Sequence, residues 1–221
     1  MAFEVPQEAY DPQHEFPNWN HQWAGGVYKG IFTQQNKNFY AAFEKLFAQE
    51  NIARVLEIGT ASGGLTLALT DITFASGVEV RDAPITTYDI IETRHADRLR
   101  NRGVDVRVMD AFEDLDYIFE YIQSDGQTLV LCDGGNKIAE FNLFSRILKT
   151  DDIIMAHDYV IDNEYYDTYI KDNVWRWCEI KYKDISIAVD KYGLSPYMAD
   201  EFQEAVWACF KKTSQNYSKM A

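Results

Sequence analysis

An acidic side chain stands at the end of each of five apolar stretches that we interpret as β-strands, and such an arrangement can hold a ligand. In chain order these acids are Glu57, Asp89, Asp110, Asp133 and Asp158, the last preceded by His157. In an open parallel sheet, ligands bind beyond the carboxyl ends of the strands. A row of carboxylates at that edge repels phosphate and favours a ligand that is cationic or rich in hydrogen-bond donors.

The loop after the first strand, Glu57–Gly64 with the sequence EIGTASGG, joins a carboxylate to a glycine-rich turn. Gly59 permits a tight turn, and Ala61 and Gly63 let a ligand approach the backbone. A dinucleotide site would need the spacing G-x-G-x-x-G and a phosphate-binding helix N-terminus, and the match is poor. A positively charged ligand that carries a ribose suits the set of acids better.

The elements that position these acids alternate between strand and helix patterns. Strands are predicted in ARVLEIG, PITTYDI, VDVRVMD, TLVLCDGG and DIIMAHDY, with helices between them, and further strands in VWRWCEI and EAVWACFKK. Parallel neighbours need crossover connections, so the alternation predicts an α/β fold with a doubly wound, mostly parallel sheet. We divide the chain into an N-terminal cap segment, 1–34, irregular with at most a short helix, a domain, 35–213, and a tail, 214–221.

Composition limits the classes of partner. The 221 residues carry 35 acidic and 21 basic side chains, a formal charge of −14, which argues against nucleic acid as a partner. The sequence contains no stretch resembling a membrane span or a signal peptide, and its three cysteines lie far apart in apolar surroundings. A cytoplasmic protein with a small-molecule partner is expected, and the sequence leaves the oligomeric state open.

On these residues the chain resembles the class I S-adenosylmethionine-dependent methyltransferases. The resemblance implies a seven-stranded Rossmann-like sheet whose final strand, AVWACFKK, is antiparallel. It places the methionine part of the cofactor against the glycine-rich loop and the segment before the first long helix, at Thr33, Glu57, Gly59, Thr60, Ala61 and Gly63. It assigns the ribose to Asp89, with Glu79 or Asp82 as alternatives, and the adenine to Asp110 and Ala111, with Asp133 also beside the cofactor.

A narrower resemblance concerns the fourth and fifth strand ends, LCDGGNK and IIMAHDY. In catechol O-methyltransferase and the cephalosporin hydroxylase-like methyltransferases, acids at these places hold a divalent cation. By that likeness Asp133 and Asp158 bind Mg²⁺ or another divalent cation, with His157 or Asn136 as the third ligand. Lys137 lies near the position of a lysine base in the catechol-type enzymes. The alternative without metal uses His157 as the base, oriented by Asp158.

The expected reaction is methyl transfer from S-adenosylmethionine to a hydroxyl oxygen of a small molecule. Two other readings stay open at this point: aminopropyl transfer on the same fold, and a cofactor-binding protein that performs no chemistry. The identity of the acceptor is not encoded in any of these motifs.

Overall fold

A computed structural model describes residues 26–75 and 84–214. The alternative ribose acids Glu79 and Asp82, and most of the predicted cap segment, lie outside these ranges. The strands are β1 Val27–Tyr28, β2 Ile31–Phe32, β3 Ile52–Ile58, β4 Ile85–Asp89, β5 Asp105–Val108, β6 Gln127–Cys132, β7 Ile153–Ala156, β8 Tyr159–Val160, β9 Ile180–Lys181, β10 Leu194–Pro196 and β11 Ala208–Lys212.

Helices connect most of these strands. They are α1 Phe39–Gln49, α2 Gly64–Ala75, α3 Ala96–Arg100, α4 Leu115–Gln123, α5 Lys137–Phe144, α6 Asn163–Tyr165, α7 Tyr182–Tyr192 and α8 Ala199–Gln203. Short 3₁₀ turns follow β5 and α5, at Ala111–Glu113 and Ser145–Ile147, and one π-helical turn, Tyr166–Ile170, continues α6. Every helix in the described part of the chain is too short or too polar to cross a membrane.

The main sheet has seven strands in the order β10-β11-β7-β6-β3-β4-β5. The pairs β3–β4, β4–β5, β3–β6 and β6–β7 are parallel, whereas β11 runs antiparallel to both β7 and β10. Within this sheet the chain enters at β3 and continues outward to β4 and β5. It then returns to the other side of β3 and continues to β6 and β7. This confirms the predicted doubly wound sheet with an antiparallel final strand, and the reversal at β3 and β6 opens a crevice at their carboxyl ends.

Both faces of the sheet are buried, which explains its nearly continuous apolar strands. Alternate residues of β6 enter different cores: Leu129 and Leu131 pack on the side of α1, α2 and α8, while Val130 and Cys132 pack on the side of α4, α5 and α7. Side chains of a strand alternate between faces, so a strand covered on both sides needs apolar residues at every position.

Two local predictions are wrong. Residues 27–32 were expected to be irregular or helical, but β1 and β2 pair as an antiparallel hairpin. Of the stretch Val174–Ile180, expected as a strand, only Ile180 enters one, in β9, which pairs with β8 outside the main sheet. Of the alternating aromatic residues in this stretch, Trp175 is buried in a separate small cluster. Residues 174–179 do not pair with a neighbouring strand. The edge position of the main sheet is taken by β10, a three-residue strand that contains Pro196.

The hairpin is held close to the start of α2. A Cβ atom at Gly64 would lie 2.4 Å from the carbonyl oxygen of Phe32, so only glycine allows this approach. Tyr28 and Ile31 of the hairpin are fully buried in the core that contains α1 and α2. The segment before α1 is therefore packed beside the predicted cofactor loop. The domain boundaries themselves stay predictions.

Candidate active site

The glycine-rich loop packs directly against the end of β6. Gly59 has a φ of +99°, and a Cβ atom there would lie 2.2 Å from the backbone carbonyl oxygen of Asp133. Gly63 also has a positive φ, +87°, and Ala61 adopts a φ of +46°. The loop therefore needs glycine at positions 59 and 63 for their positive φ angles. At position 59 it also needs glycine because the backbone of Asp133 lies so close.

Glu57 lies beneath this loop with no solvent exposure. Its Oε2 atom accepts hydrogen bonds from the hydroxyls of Thr66 and Thr87, both at 2.6 Å, and the Thr87 hydroxyl is also 2.6 Å from that of Thr60. The Oε1 atom has no hydrogen-bond partner among the described residues. Burial raises the pKa of Glu57 to about 7, although the two threonine hydrogen bonds act in the opposite direction.

This raised pKa predicts a pH-dependent stability that Glu57→Gln removes. The folded-state pKa of about 7 exceeds the unfolded value of about 4.3, so Glu57 makes folding less favourable as pH rises between these values. The expected cost is about 4 kcal/mol by pH 8, at about 1.4 kcal/mol per pKa unit. Denaturant unfolding of both proteins at pH 4 and pH 8 should show the variant gaining relative stability at pH 8. A difference that stays constant with pH would contradict the assignment.

Asp89 is the last residue of β4, and Asp110 follows the adjacent strand β5, which ends at Val108. Asp89 Oδ2 accepts from the backbone N–H of Ala61 at 2.8 Å, and its Oδ1 accepts from that of Ile91 at 3.0 Å. Asp89 thereby ties the glycine-rich loop to the end of β4, and each carboxylate oxygen retains a second lone pair for a ligand hydroxyl. Asp110 is exposed and caps the following 3₁₀ turn through the N–H of Phe112, while Ala111 is buried beside it.

Thr33 lies in the closed turn between the hairpin and α1. It is 5% exposed, its hydroxyl donates to the carbonyl oxygen of Gly26 at 2.8 Å, and the same hydroxyl accepts from the N–H of Gln35 at 3.2 Å. Both bonds are internal to the turn. Thr33 therefore shapes the segment beside the glycine-rich loop.

The ends of β6 and β7 bring Asp133 and His157 together. The strands pair in parallel with Cys132 opposite Ala156, so the next residue of each chain enters the crevice. The Nδ1 atom of His157 lies 3.1 Å from Asp133 Oδ1 and 3.7 Å from Asp158 Oδ1. The carboxylate that orients His157 most closely is therefore Asp133, whereas the sequence suggested Asp158.

Asp158 is held by other partners. Its φ of +57° turns the chain sharply after β7, and its Oδ1 accepts a hydrogen bond from Trp175 Nε1 at 2.6 Å. Its Oδ2 lies 3.2 Å from Lys137 Nζ. Burial alone would raise the pKa of Asp158, but His157, Lys137 and the Trp175 hydrogen bond lower it below its ordinary value.

Lys137 is the first residue of α5 and is buried among three carboxylates. Its side chain is 8% exposed, and its Nζ atom lies 2.6 Å from Glu179, 3.2 Å from Asp158 and 3.5 Å from Asp133. Burial by itself would lower the pKa of Lys137, but these carboxylates outweigh it and raise the pKa above its usual value. Lys137 is consequently an ammonium at neutral pH, which suits it as a fixed cation and not as a base.

The imidazole of His157 is enclosed by two indoles. Its ring centroid lies 4.8 Å from that of Trp207 and 5.6 Å from that of Trp175. Burial would lower the pKa of His157, yet Asp133 and Asp158 raise it above the usual value. With Nδ1 facing the carboxylates, the Nε2 atom is left without a hydrogen-bond partner among residues 26–75 and 84–214.

The group of Asp133, His157 and Asp158 has the spacing of a metal site. One ligand atom from each residue lies within 4.8 Å of the other two. Metal–ligand distances near 2.1 Å place neighbouring ligand atoms about 3.0 to 3.4 Å apart, close to the distances around Nδ1. Counting Lys137 against its three carboxylates leaves a net charge of −2, which a divalent cation balances. Asn136 instead caps α5 by accepting from the N–H of Ala139, so His157 is the third residue that the geometry offers.

Three residues at this site carry no motif in the sequence. Gln35 donates to Asp133, Trp175 donates to Asp158, and Glu179 pairs with Lys137. Each reaches the strand ends from a distant segment. The sequence signal here is the alternation of aromatic residues around Trp175, a pattern that predicts a strand.

Comparison with solved structures shows which proteins share this fold. The chain is similar to CmcI in a structure described as containing Mg and SAM, with a TM-score of 0.60, 15% identity and coverage of 88% of this chain and 77% of that chain. The apo structure of CmcI matches with a TM-score of 0.60, 13% identity and coverage of 85% and 76%. A candidate caffeoyl-CoA O-methyltransferase from Staphylococcus aureus matches with a TM-score of 0.53, 14% identity and coverage of 80% and 84%.

No protein-family model and no curated protein matches the sequence. At the identities of the solved structures, the likeness concerns the fold. Together with the strand order, it establishes that this chain has the Rossmann-like fold of the methyltransferases.

Proposed function

We propose that this protein transfers the methyl group of S-adenosylmethionine to a hydroxyl oxygen of a small molecule. The observation that carries the proposal is the contact of the glycine-rich loop with the backbone of Asp133, where Gly59 leaves no room for a Cβ atom. It joins a loop suited to the cofactor to a group of polar side chains suited to an acceptor. The solved proteins that share the fold include one described with Mg and SAM, which supports the choice of cofactor.

The cofactor half of the site lies at the ends of β3, β4 and β5. The bare backbone around Gly59 and Gly63 would take the methionine part, Asp89 the ribose hydroxyls, and Asp110 the exocyclic amine of adenine above buried Ala111. A positively charged sulfonium suits the carboxylates of this crevice. The protein supplies mainly proximity and charge placement, because the methyl group is transferred in line between two bound reactants.

His157 is the base in the acceptor half. Asp133 accepts from Nδ1–H, so the lone pair for proton abstraction is on Nε2, the atom without a partner among the described residues. The acceptor hydroxyl gives its proton to Nε2 as its oxygen attacks the methyl group. The bond from that methyl group to the sulfonium sulfur breaks, its electron pair stays on sulfur, and S-adenosylhomocysteine leaves. The ammonium of Lys137 stabilises the developing negative charge on that oxygen. This assignment replaces Lys137 as a base, since its three carboxylates keep it protonated.

A divalent cation fits the same group. Asp133, His157 and Asp158 would hold it, and it would supply a lowered pKa for a coordinated hydroxyl. The mixed nitrogen and oxygen donors suit Mn²⁺ or Zn²⁺ as well as Mg²⁺. A histidine ligand normally donates its second ring N–H to a partner, and here Nε2 has none among residues 26–75 and 84–214. That observation favours His157 as the base, and the divalent cation is the second candidate mechanism.

The proposal is tested by binding and by transfer of label. Calorimetry should detect S-adenosylhomocysteine bound to the protein, with weaker binding to Asp89→Ala. Incubation with methyl-labelled cofactor and a panel of phenols, sugars and amines should then label a hydroxyl-bearing acceptor. Transfer to amines alone would overturn the assignment of an oxygen acceptor. Binding of S-adenosylhomocysteine without methyl transfer to any acceptor would indicate a cofactor-binding protein that performs no chemistry. Aminopropyl transfer is tested in parallel with the decarboxylated cofactor.

The two mechanisms for activating the acceptor differ in their response to metal removal. We expect His157→Ala to lower turnover of the labelled acceptor by about 100-fold or more, the contribution typical of a general base. If turnover by the unaltered protein survives thorough chelation, the histidine mechanism stands and the metal role is rejected. If chelation abolishes turnover and added Mn²⁺ or Mg²⁺ restores it, the cation is required. A His95→Ala variant is a matched control, because His95 lies before α3 and its ring nitrogen accepts a hydrogen bond from Arg94.

A further inference from the structure

Gln35 is a buried side chain that links the turn before α1 to Asp133. It has no solvent exposure, and the oxygen and the nitrogen of its side-chain amide each form a hydrogen bond. Oε1 accepts from Trp207 Nε1 at 2.8 Å, and Nε2 donates to Asp133 Oδ2 at 3.1 Å. An indole only donates and a carboxylate only accepts, so these partners fix which way the amide points.

The bond from Gln35 decides how the Asp133 carboxylate is turned. With Oδ2 held by the amide, Oδ1 faces Nδ1 of His157 at 3.1 Å and Nζ of Lys137 at 3.5 Å. Without the amide, the carboxylate is free to rotate about its terminal torsion, a broad twofold well. The acceptor that faces Nδ1 of His157 would then no longer be fixed.

Trp207 makes the arrangement rigid. This residue precedes β11, is 1% exposed, and places its indole 4.8 Å from the His157 ring while it donates to Gln35. The turn that carries Gln35 is closed by bonds from the N–H of Gly26 to the Gln35 carbonyl, 3.0 Å, and from the N–H of Gln35 to the Thr33 hydroxyl, 3.2 Å. Backbone and side chain are therefore both fixed.

We propose that Gln35 is a positioning residue for Asp133 and His157. Through Asp133 it keeps the imidazole of His157 in the Nδ1–H tautomer, with the lone pair on Nε2. This inference rests on the proposed function. It makes the turn before α1 a part of the acceptor site, through a residue that belongs to neither the glycine-rich loop nor the strand ends. Its effect reaches the acceptor through Asp133, so it should alter turnover and leave cofactor binding nearly unchanged.

The first test reads the tautomer directly. Nitrogen-15 spectra of the histidine side chains report which ring nitrogen carries the proton, and His157→Ala identifies the signal of His157 among the four histidines. We expect Nδ1–H in the unaltered protein and an exchanging mixture in Gln35→Leu. An Nε2–H tautomer in the unaltered protein, or an unchanged tautomer in Gln35→Leu, would overturn the inference.

The second test separates positioning from binding. For the best acceptor found in the panel, Gln35→Leu should lower kcat by about 10- to 100-fold, the usual effect of a residue that orients a catalytic group, with less than about a twofold change in acceptor KM. Gln35→Glu keeps the volume but sets a carboxylate against Asp133 Oδ2, so it should lower kcat at least as much. This second variant keeps the test decisive if Gln35→Leu fails to fold.

The control is Asn38→Ala. Asn38 donates to the carbonyl of Glu204 at 3.1 Å, so it also ties the turn before α1 to the chain before β11. A second hydrogen bond, from its backbone N–H to Asn36, is internal to that turn. We expect full kcat in this variant. Cofactor binding keeps the two proposals apart: absence of S-adenosylhomocysteine binding by the unaltered protein defeats the proposed function, whereas normal binding with full kcat in Gln35→Leu defeats only the role of Gln35.

Discussion

Replacing Gly59 with alanine should abolish measurable cofactor binding and lower the free energy of unfolding by roughly 3 kcal/mol or more. The new methyl group would lie 2.2 Å from the carbonyl oxygen of Asp133 and 2.9 Å from the N of Gly134. These are backbone atoms at the end of a central strand, so they cannot give way as a flexible side chain would. Forced overpacking typically costs about 1 to 3 kcal/mol, and a non-glycine residue at positive φ adds about 1 to 2 kcal/mol.

A second glycine separates the two causes. Gly30, in the turn of the hairpin, has a φ of +82°, but a Cβ atom there meets nothing within 4 Å. Gly30→Ala should therefore carry only the conformational cost, about 1 to 2 kcal/mol, and keep its affinity for S-adenosylhomocysteine. Denaturant unfolding and calorimetry on both variants measure the difference. Equal losses in the two proteins would show that the contact with Asp133 is not the reason for glycine at position 59.

The second large effect is expected from Lys137→Met, which removes the ammonium from the three carboxylates around it. Removing one partner of a buried ion pair costs about 3 to 5 kcal/mol, because the remaining charges stay buried without compensation. Lys137 is 8% exposed, and Asp133 and Asp158 are 14% and 10% exposed, so solvent screens them little. We expect a loss of about 3 kcal/mol in the free energy of unfolding at pH 7.

The loss should depend on pH with a definite sign. The pKa of Asp158 is lowered in the folded protein, in part by Lys137, so this carboxylate stabilises the fold above its unfolded pKa of about 3.9. That stabilisation disappears as pH falls through the lower folded-state pKa. The gap between the unaltered protein and Lys137→Met should therefore be widest at neutral pH and shrink below about pH 4.

Exposed lysine provides the control. Lys45 pairs with Glu201 on the surface, where its side chain is 48% exposed, and Lys45→Met should change stability by less than about 1 kcal/mol. If the acids also bind a divalent cation, Mn²⁺ should restore part of the stability of Lys137→Met by supplying the missing positive charge. A Lys137→Met protein as stable as the unaltered one at pH 7, in the presence of chelator, would refute the account of this cluster.

The sequence alone determined the sheet and the row of acids along its edge. Strands such as β6 are apolar at every position because both faces of the sheet are covered, and this pattern is local in the chain. The turn at Gly59 was likewise visible, since glycine marks conformations that other residues avoid. Once the strands are parallel and doubly wound, their carboxyl ends must meet, so Asp133, His157 and Asp158 had to be neighbours.

Only the tertiary structure decided what each of these residues contacts. In the structure Asp133 orients His157, and Asn136 caps a helix. The carboxylates of Asp133, Asp158 and Glu179 together keep Lys137 protonated. Gln35 and Asp133 are 98 positions apart, and Lys137 and Glu179 are 42 apart. Patterns along a chain predict which side chains are buried, because burial follows from the polarity of the residues and the periodicity of the strand or helix that contains them. The choice of partner depends on which distant segments pack against the same strand end, and no local pattern carries that information.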